Sequence, residues 1–171
     1  MPYLYLQPVV SLPQRRVHLY EGFTRLRQKD DRIIMPQHYL PLASEQGLMP
    51  AIDNQLLFRC VQVMRRLVKR QRNLGIICNI SEHSLLDHDF FPQFIEFMDD
   101  NRQLSSSLIF EFSQETIKNC GPIEFENLAS LAELGFVFSM DQVSDMDIDL
   151  ESLGKNNFRY LKVESSIFLN G

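Results

Sequence analysis

Residues 74–79 have the sequence LGIICN, a short apolar run that ends in a single polar residue. The same pattern recurs at residues 108–111, LIFE, and in three other places along the chain. Apolar runs of this length with helical stretches between them are typical of buried parallel strands. The residues that end the five runs are Glu21, Asn79, Glu111, Asp141 and Lys162. Because the carboxyl ends of parallel strands meet at one rim, where the active sites of barrel enzymes lie, we expect these side chains to converge.

The first two strands are predicted to form an antiparallel hairpin. Residues 3–10 and 17–26 are both strand-like, and the connection at residues 11–16 is too short for a crossover helix. The remaining elements are predicted as strands at residues 74–80, 107–113, 136–143 and 160–165, and as helical stretches at residues 36–72, 81–86, 90–101 and 122–134. This order predicts an α/β chain of about six strands.

The predicted architecture is an incomplete barrel. An eight-stranded (β/α) barrel typically has about 250 residues, whereas this chain has 171. We therefore expect a single domain over residues 1–171 that forms the N-terminal two-thirds of a larger domain, or an open barrel whose edge is covered by another element. Either arrangement avoids the unpaired edges that natural sheets rarely expose.

The composition is that of an ordinary globular domain with an acidic balance. A net charge of −5 argues against non-specific binding to nucleic acid or to an anionic membrane. No apolar run approaches the roughly 20 residues of a membrane helix, and the N-terminus lacks a secretory signal, so we expect a cytoplasmic location without direct membrane insertion. Cys60, Cys78 and Cys120 lack metal-type spacing and are expected to be reduced and structural.

Two charged clusters have simple structural interpretations. The first is basic and consists of Arg65, Arg66, Lys69, Arg70 and Arg72. It suits the solvent-facing C-terminus of a helix better than a phosphate-binding patch. The second is acidic and consists of Asp145, Asp147, Asp149 and Glu151. It alternates like a calcium loop but lacks the turn glycine and the final glutamate, which favours helix capping and solvation.

The polar residues at the strand ends indicate a site for a hard cation. Glu21, Asn79, Glu111 and Asp141 offer only oxygen ligands, which Mg²⁺, Mn²⁺ and Ca²⁺ prefer and zinc does not. Three carboxylates at one rim repel each other unless a cation lies between them. Two such cations would neutralise a phosphodiester and activate water, and Lys162 would help to hold the phosphate or the attacking water.

Short motifs along the whole chain resemble the EAL domains, which bind or hydrolyse cyclic di-GMP. The N-terminal matches are LQPVV at residues 6–10, YEGFTR at 20–25 and LPLASEQGL at 40–48. The later matches are CNIS at 78–81, FEFS at 110–113, LG at 134–135 followed by MD at 140–141, and LKVE at 161–164. The resemblance implies a modified (β/α)₈ barrel whose first strand runs antiparallel, in agreement with the predicted hairpin.

The resemblance also implies roles for individual residues. Metal ligands would be Glu21, Asn79, Glu111 and Asp141, with Lys162 and Glu21 in the catalytic site. Nucleotide contacts would come from Gln7 to a guanine and Arg25 to a phosphate, together with Phe23, Pro41, Leu42 and Asp141. An active member would use Mg²⁺ or Mn²⁺, whereas a receptor would need no metal, and protein partners or a homodimer are expected.

The chain departs from the family pattern at several positions. The signature Ala-Leu is replaced by Gly22 and Phe23, the second Asp of the Asp-Asp pair by Gln142, and the second Glu of the Glu-x-x-Glu strand by Gln114. Glu164 replaces the Asp after the lysine. The family's glycine-containing loop is replaced by residues 143–149, and its later glutamate base and closing strands fall beyond residue 171.

These departures leave three hypotheses. The first is a degenerate EAL domain that serves as a cyclic di-GMP receptor or signalling scaffold with little or no hydrolysis, because the Gln142 amide has no charge to hold a second metal. The second is an active metal-dependent phosphodiesterase that produces the linear dinucleotide. The third is a protein-interaction module without nucleotide, in which the Phe23 ring fills the ligand cleft.

Overall fold

A computed structural model describes residues 2–70 and 72–169. The strands of this part of the chain are β1 (Pro2–Ser11), β2 (Arg16–Arg27), β3 (Ile33–Ile34), β4 (Gly75–Asn79), β5 (Leu108–Ser113), β6 (Val137–Val143) and β7 (Phe158–Val163). The helices are α1 (Pro36–Glu45), α2 (Met49–Lys69), α3 (Glu82–Leu85), α4 (Phe90–Asp99), α5 (Gln114–Lys118), α6 (Pro122–Glu133), α7 (Leu150–Lys155) and α8 (Ser165–Leu169). A single turn of 3₁₀ helix covers Arg102–Leu104.

The strands form one mostly parallel sheet in the order β1-β2-β4-β5-β6-β7, and the short β3 pairs with the end of β2. Strands β1 and β2 are antiparallel, which confirms the predicted hairpin, and each later pair along this order is parallel. The predicted α/β barrel-type architecture is confirmed. Among the described residues the sheet remains open between β1 and β7.

The main hydrophobic core lies between the sheet and its covering helices. Strand β4 is buried from Gly75 to Cys78, and β5 is buried over its first five residues, as the continuous apolar runs predict. The ring centroids of Phe94 and Phe110 are 5.0 Å apart, and those of Phe110 and Phe136 are 5.2 Å apart. These edge-to-face and tilted aromatic contacts pack α4 against the centre of the sheet.

The sheet is strongly curved. The Lys162 ammonium of β7 lies 2.6 Å from a carboxylate oxygen of Glu21 on β2, although these strands are four positions apart in the sheet order. In a flat sheet four strand spacings would separate them by about 19 Å, beyond the reach of both side chains. The sheet therefore bends like the wall of a barrel and brings its two halves together around the interior.

The secondary-structure elements differ from the predictions in several places. The helical stretch predicted at residues 36–72 is two helices, because Gly47 adopts a φ of +67° that ends α1. The last strand is predicted at residues 160–165, whereas β7 spans Phe158–Val163, and β3, α7 and α8 have no residue range in the predictions. The five-residue α5, capped by Ser113, has too few residues for a visible helical period. No helix within residues 2–70 and 72–169 is both long enough and apolar enough to cross a bilayer.

The cysteines are free thiols, as expected. Cys60 of α2 and Cys78 of β4 are both fully buried, and Cys60 also lies against Gly22 of β2. A hydrogen bond with the Cys60 thiol, together with burial, raises the pKa of Cys78 well above its usual value. These cysteines therefore act as small apolar residues that let α2 approach the sheet.

Gly22 explains the first departure from the EAL signature. A Cβ atom at this position would lie 3.1 Å from Cys60 Sγ, 3.3 Å from Leu4 Cδ1 and 3.4 Å from the Ile77 carbonyl oxygen. The bulk of the Cys60 thiol occupies the space that an alanine side chain would need. Glycine at position 22 is thus a consequence of how closely α2 packs on β2.

We expect Gly22→Ala to lower the free energy of unfolding by about 1–3 kcal/mol, because the added methyl group overpacks this contact. Combining it with Cys60→Ala should make the cost of the Gly22 substitution smaller, which chemical denaturation of the single and double variants would measure. Gly154→Ala is the matched control, since a Cβ at that helical position meets nothing within 4 Å. Equal losses for the Gly22 and Gly154 variants would contradict this account.

Candidate active site

The carboxyl-terminal halves of β4, β5 and β6 and the middle of the neighbouring β2 direct polar side chains to the interior of the curved sheet. Asn79 ends β4 and lies opposite Glu111 of β5, while Asp141 of β6 lies opposite Ser113, two residues beyond Glu111. Side chains two residues apart on a strand point to the same face. Glu21 of β2 completes the group through a direct contact with Asn79.

The structure brings together all five residues that the sequence predicted at the rim. Carboxylate oxygens of Glu21, Glu111 and Asp141 lie within 4.8 Å of one another. Asn79 donates through Nδ2 to Glu21 Oε1 at 3.1 Å. The Lys162 ammonium donates to Glu21 Oε2 and to Glu111 Oε1, each at 2.6 Å. We refer to Glu21, Asn79, Glu111, Asp141 and Lys162 as the rim cluster.

Glu111 is the most buried member of the rim cluster, with a side chain that has no exposed surface. Burial raises its pKa, and hydrogen bonds from Lys162 and from the Ser139 hydroxyl, at 2.6 Å, act in the opposite direction. Burial also acts to lower the pKa of Lys162, but its bonds to Glu111 and Glu21 outweigh burial, and the net shift is upward. Lys162 is therefore a cation at neutral pH and neutralises part of the carboxylate charge.

The rim cluster fits a divalent cation. Its three carboxylates carry more negative charge than the single ammonium neutralises. Two oxygens bound to one ion lie at most two bond lengths apart, about 4.2 Å for Mg²⁺ and about 5.2 Å for Ca²⁺. The 4.8 Å span of the cluster is within the limit for Ca²⁺ and slightly above the limit for Mg²⁺. Glu21, Glu111 and Asp141 could thus hold one ion after small side-chain movements, with Asn79 as a neutral fourth ligand.

A cavity of about 600 Å³ opens beside the rim cluster. Its walls include Gln7, Phe23 and Arg25, three of the residues that the resemblance assigned to nucleotide binding. The Arg25 guanidinium lies over the Tyr5 ring, 4.1 Å from its centroid, so the charge is held at the wall by a cation–π contact. The volume is in the usual range for small-ligand sites.

Pro41 and Leu42 lie elsewhere. Both are exposed on α1, and neither lines this cavity. Leu42 instead lines a separate apolar cavity of about 440 Å³ between α1 and α2. Their predicted nucleotide contacts therefore have no support from the geometry of the described residues.

Phe23 and Gln142 show what two departures from the family pattern do to the cavity. The Phe23 ring is partly buried in the wall and leaves the cavity open. Gln142 is exposed at the cavity edge with a φ of +54°, a left-handed conformation that Asn and Asp adopt more readily. It places a neutral amide where the family has its second aspartate.

The sequence analysis missed Ser139 and Asp53. Asp53 is buried on α2 at the cavity wall, where its Oδ2 accepts hydrogen bonds from the Ser81 amide at 2.8 Å and the Ser84 hydroxyl at 2.6 Å. Burial raises its pKa, and the bonds from the two serines partly oppose this shift. The sequence did carry a signal for Asp53, since it lies on the same helical face as the apolar Leu56 and Cys60. A carboxylate on a buried face is unfavourable unless it has hydrogen-bond partners, so its presence there indicates a specific role.

Gln114 fixes the loop that follows β6. Its Nε2 donates to the Asp145 carbonyl at 2.7 Å, and its Oε1 accepts from the amides of Ser144 and Asp145, both at 3.1 Å. A glutamate at this position could accept but could not donate to a carbonyl. A hydrogen bond from Lys118 lowers the pKa of Asp145, and Asp149 caps α7 through Ser152. Capping by Asp149 agrees with the predicted role of the acidic loop, whereas the ion pair of Asp145 with Lys118 was not predicted.

Comparisons with known proteins agree with this geometry. The sequence profile described as EAL domain matches residues 2–170. The probable cyclic di-GMP phosphodiesterase PdeG of Escherichia coli K12 is 23% identical over 163 residues, which are 95% of this chain and 32% of PdeG. An uncharacterised 76.5 kDa protein of Thiocystis violacea is 30% identical over 91 residues, 53% of this chain and 13% of that protein. The chain thus spans a third or less of these relatives.

Solved structures show the same fold. The structure of PaMucR phosphodiesterase in complex with c-di-GMP superposes with a TM-score of 0.82 at 23% identity, over 99% of this chain and 68% of that one. The FimX EAL domain of Pseudomonas aeruginosa bound to c-di-GMP gives a TM-score of 0.75 at 21% identity, over 99% and 69%. Both proteins are described with the ligand that the sequence resemblance implies.

We expect Lys162→Met to destabilise the metal-free protein by about 2 kcal/mol, because Glu21 and Glu111 lose their counter-ion in a largely buried site. The gain in thermal unfolding temperature on adding Mn²⁺ should be larger in the variant than in the parent, since more negative charge is left for the ion. Scanning calorimetry in EDTA and in Mn²⁺ would measure both effects. Lys155→Met is the control, as it removes an exposed ion pair with Glu151. Identical Mn²⁺ shifts in parent and Lys162 variant would contradict the prediction.

Proposed function

Because the chain belongs to the EAL domain family, we propose that it binds cyclic di-GMP in the cavity beside the rim cluster and acts as a receptor or signalling scaffold with little or no hydrolysis. The observation that carries the proposal is the charge arrangement of the rim. Three carboxylates converge and two of them, Glu21 and Glu111, already share one ammonium, while Gln142 supplies no charge for a second cation. Such a site favours ligand binding over two-metal hydrolysis.

Binding is supported by the chemistry of the cavity wall. Cyclic di-GMP presents two phosphates and two guanines, so a site needs cationic, aromatic and amide groups within one cleft. Arg25 offers a guanidinium to a phosphate, Phe23 an apolar ring to a base, and Gln7 an amide to a guanine edge. All three belong to the β1–β2 hairpin, whose paired register places Gln7 opposite Glu21 on the interior face.

A divalent ion would add charge neutralisation at the rim cluster beside the cavity. Glu21, Asn79, Glu111 and Asp141 would hold it, and a bound Mg²⁺ or Mn²⁺ would polarise a phosphoryl oxygen and lower the pKa of water. Lys162 orients Glu21 and Glu111 toward this position through its two hydrogen bonds. The receptor role does not require the ion, since Lys162 alone keeps two of the carboxylates paired.

An active phosphodiesterase is the second candidate. The observation in its favour is that every ligand-type residue predicted from the sequence reaches the rim with its carboxylate or amide directed inward. The third hypothesis is a module that has lost nucleotide because Phe23 fills the cleft; the position of this ring in the cavity wall gives it less support than the other two.

We expect the chain to bind cyclic di-GMP in EDTA by calorimetry, and Arg25→Ala to weaken binding by about tenfold or more, because one charge-assisted hydrogen bond to a phosphate is lost. Arg27→Ala is the matched control. Arg27 lies two residues further along β2 and also stacks on a β1 tyrosine, 4.7 Å from the Tyr3 centroid, but it does not line the cavity. Absence of binding at high micromolar nucleotide, or equal losses for both variants, would overturn the receptor proposal.

We expect Gln142→Asp to increase Mn²⁺-dependent conversion of cyclic di-GMP to the linear dinucleotide by about tenfold or more, because it restores a charge for a second cation. The left-handed backbone at this position accepts Asp and Asn equally, so Gln142→Asn is the control that changes size without adding charge. Chromatography of the reaction products would measure turnover. Rapid hydrolysis by the parent chain, unchanged in Gln142→Asp, would instead establish the phosphodiesterase.

A further inference from the structure

The basic residues of this acidic chain are segregated. Residues 2–20 and 54–81 contain eight of the 17 Lys and Arg residues and none of the 22 Asp and Glu residues. These two segments are far apart in sequence, but they form the β1–β2 hairpin and the α2–β4 unit, which are neighbours in the sheet. One region of the chain is therefore positively charged, although the net charge of the whole chain is −5.

Seven of these cations gather at the end of the molecule opposite the cavity. Leu19 of β2 lies opposite Gly75 of β4 in a parallel pair. Arg16 and Arg72 each precede one of these two residues by three positions, so both stand at the amino-terminal ends of adjacent strands. The Arg72 amide bonds to the Leu67 carbonyl at 3.0 Å, which folds the chain back over the last turn of α2. We call this surface the basic face; its members are Arg15, Arg16, Arg65, Arg66, Lys69, Arg70 and Arg72.

The charges of the basic face are exposed and unneutralised. None of the seven forms a salt bridge within residues 2–70 and 72–169, whereas Arg32, Arg102, Lys118, Lys155 and Lys162 each do. The nearest acidic residues by topology precede β5, where Asp99 pairs with Arg102 and Asp100 follows it. The dipole of α2 favours cations in its last turn, but it does not account for Arg15 and Arg16 on the hairpin.

The basic face also carries exposed apolar side chains. Leu12, at the turn of the β1–β2 hairpin, is 80% exposed, and Val10 and Val68 are 46% and 42% exposed. Leu12 lies three residues from Arg15, so a protruding apolar group stands directly beside the cations. An apolar tip within a field of arginines matches an anionic bilayer surface, where cations meet the headgroups and the tip enters the interface.

We propose that the basic face docks the domain on membranes that contain anionic lipids. Clusters of about four to eight Lys or Arg residues bind anionic lipid surfaces, so the seven cations of the basic face are sufficient even though the whole chain is acidic. The face lies at the amino-terminal ends of the strands, and the nucleotide cavity lies at the carboxyl-terminal ends. Docking therefore leaves the cavity directed away from the lipid. A rigid polyanion such as duplex DNA offers no apolar layer that the exposed Leu12 side chain could enter.

The test is sedimentation of the full chain with phosphatidylcholine vesicles that contain or lack phosphatidylglycerol, an anionic lipid whose surface charge attracts basic segments. We expect binding only to the anionic vesicles, lost in high salt. Arg66→Glu/Lys69→Glu/Arg70→Glu should reduce the partition coefficient by about tenfold or more, and Leu12→Ser should reduce it by a smaller factor.

The matched control is Lys29→Glu/Arg32→Glu/Lys155→Glu, which reverses three exposed cations outside the basic face and should keep partitioning within about twofold of the parent. Circular dichroism and cyclic di-GMP titration of both triple variants separate loss of docking from loss of folding. Equal partitioning of the two triple variants, no binding to anionic vesicles, or tighter binding to duplex DNA than to vesicles at the same salt would each overturn the proposal. These outcomes are independent of whether the cavity binds nucleotide.

Discussion

The structure depends on one ammonium group held between two carboxylates. Lys162 reaches from β7 to Glu21 on β2 and Glu111 on β5, with both oxygens 2.6 Å away. This contact joins strands that a flat sheet would separate by about 19 Å. It also compensates the burial of Glu111, whose side chain has no contact with solvent. The same Lys162 contact therefore holds the sheet in its curved form and neutralises buried charge in its interior.

The functional proposal follows from how that interior charge is divided. One lysine pairs with two of three carboxylates, which leaves a net negative site that suits a single divalent ion. In the proposed function, the neutral Gln142 amide supplies no charge for a second ion, whereas Gln114 donates a hydrogen bond to the loop backbone. The two glutamines therefore have different effects. Gln142 lacks the negative charge of the aspartate in the family pattern, and Gln114 adds a hydrogen bond that holds the loop after β6.

The two ends of the barrel wall have opposite electrostatic character. The carboxyl ends of the strands gather carboxylates around a cavity, with Arg25 held at its wall by the Tyr5 ring. The amino ends of β2 and β4 gather arginines and a lysine without acidic partners among the described residues. The net charge of the chain sums over both surfaces. It therefore argued against an anionic partner, whereas the local concentration of cations on the basic face supports one. Charge distribution, and not its sum, determines which surfaces this domain can approach.

The sequence by itself determined the antiparallel hairpin, the buried strands and the five residues of the rim cluster, because an apolar run and the polar residue ending it are adjacent in the chain. The strand period also directed alternate residues to one face, which is enough to place Asn79, Glu111 and Asp141 together. Only the tertiary structure decided the partners of Lys162, the burial of Asp53 against α3, the exclusion of Pro41 and Leu42 from the cavity, and the assembly of the basic face. Each of these depends on sheet curvature or on helix placement, which bring together side chains from distant parts of the chain through contacts that no local pattern encodes.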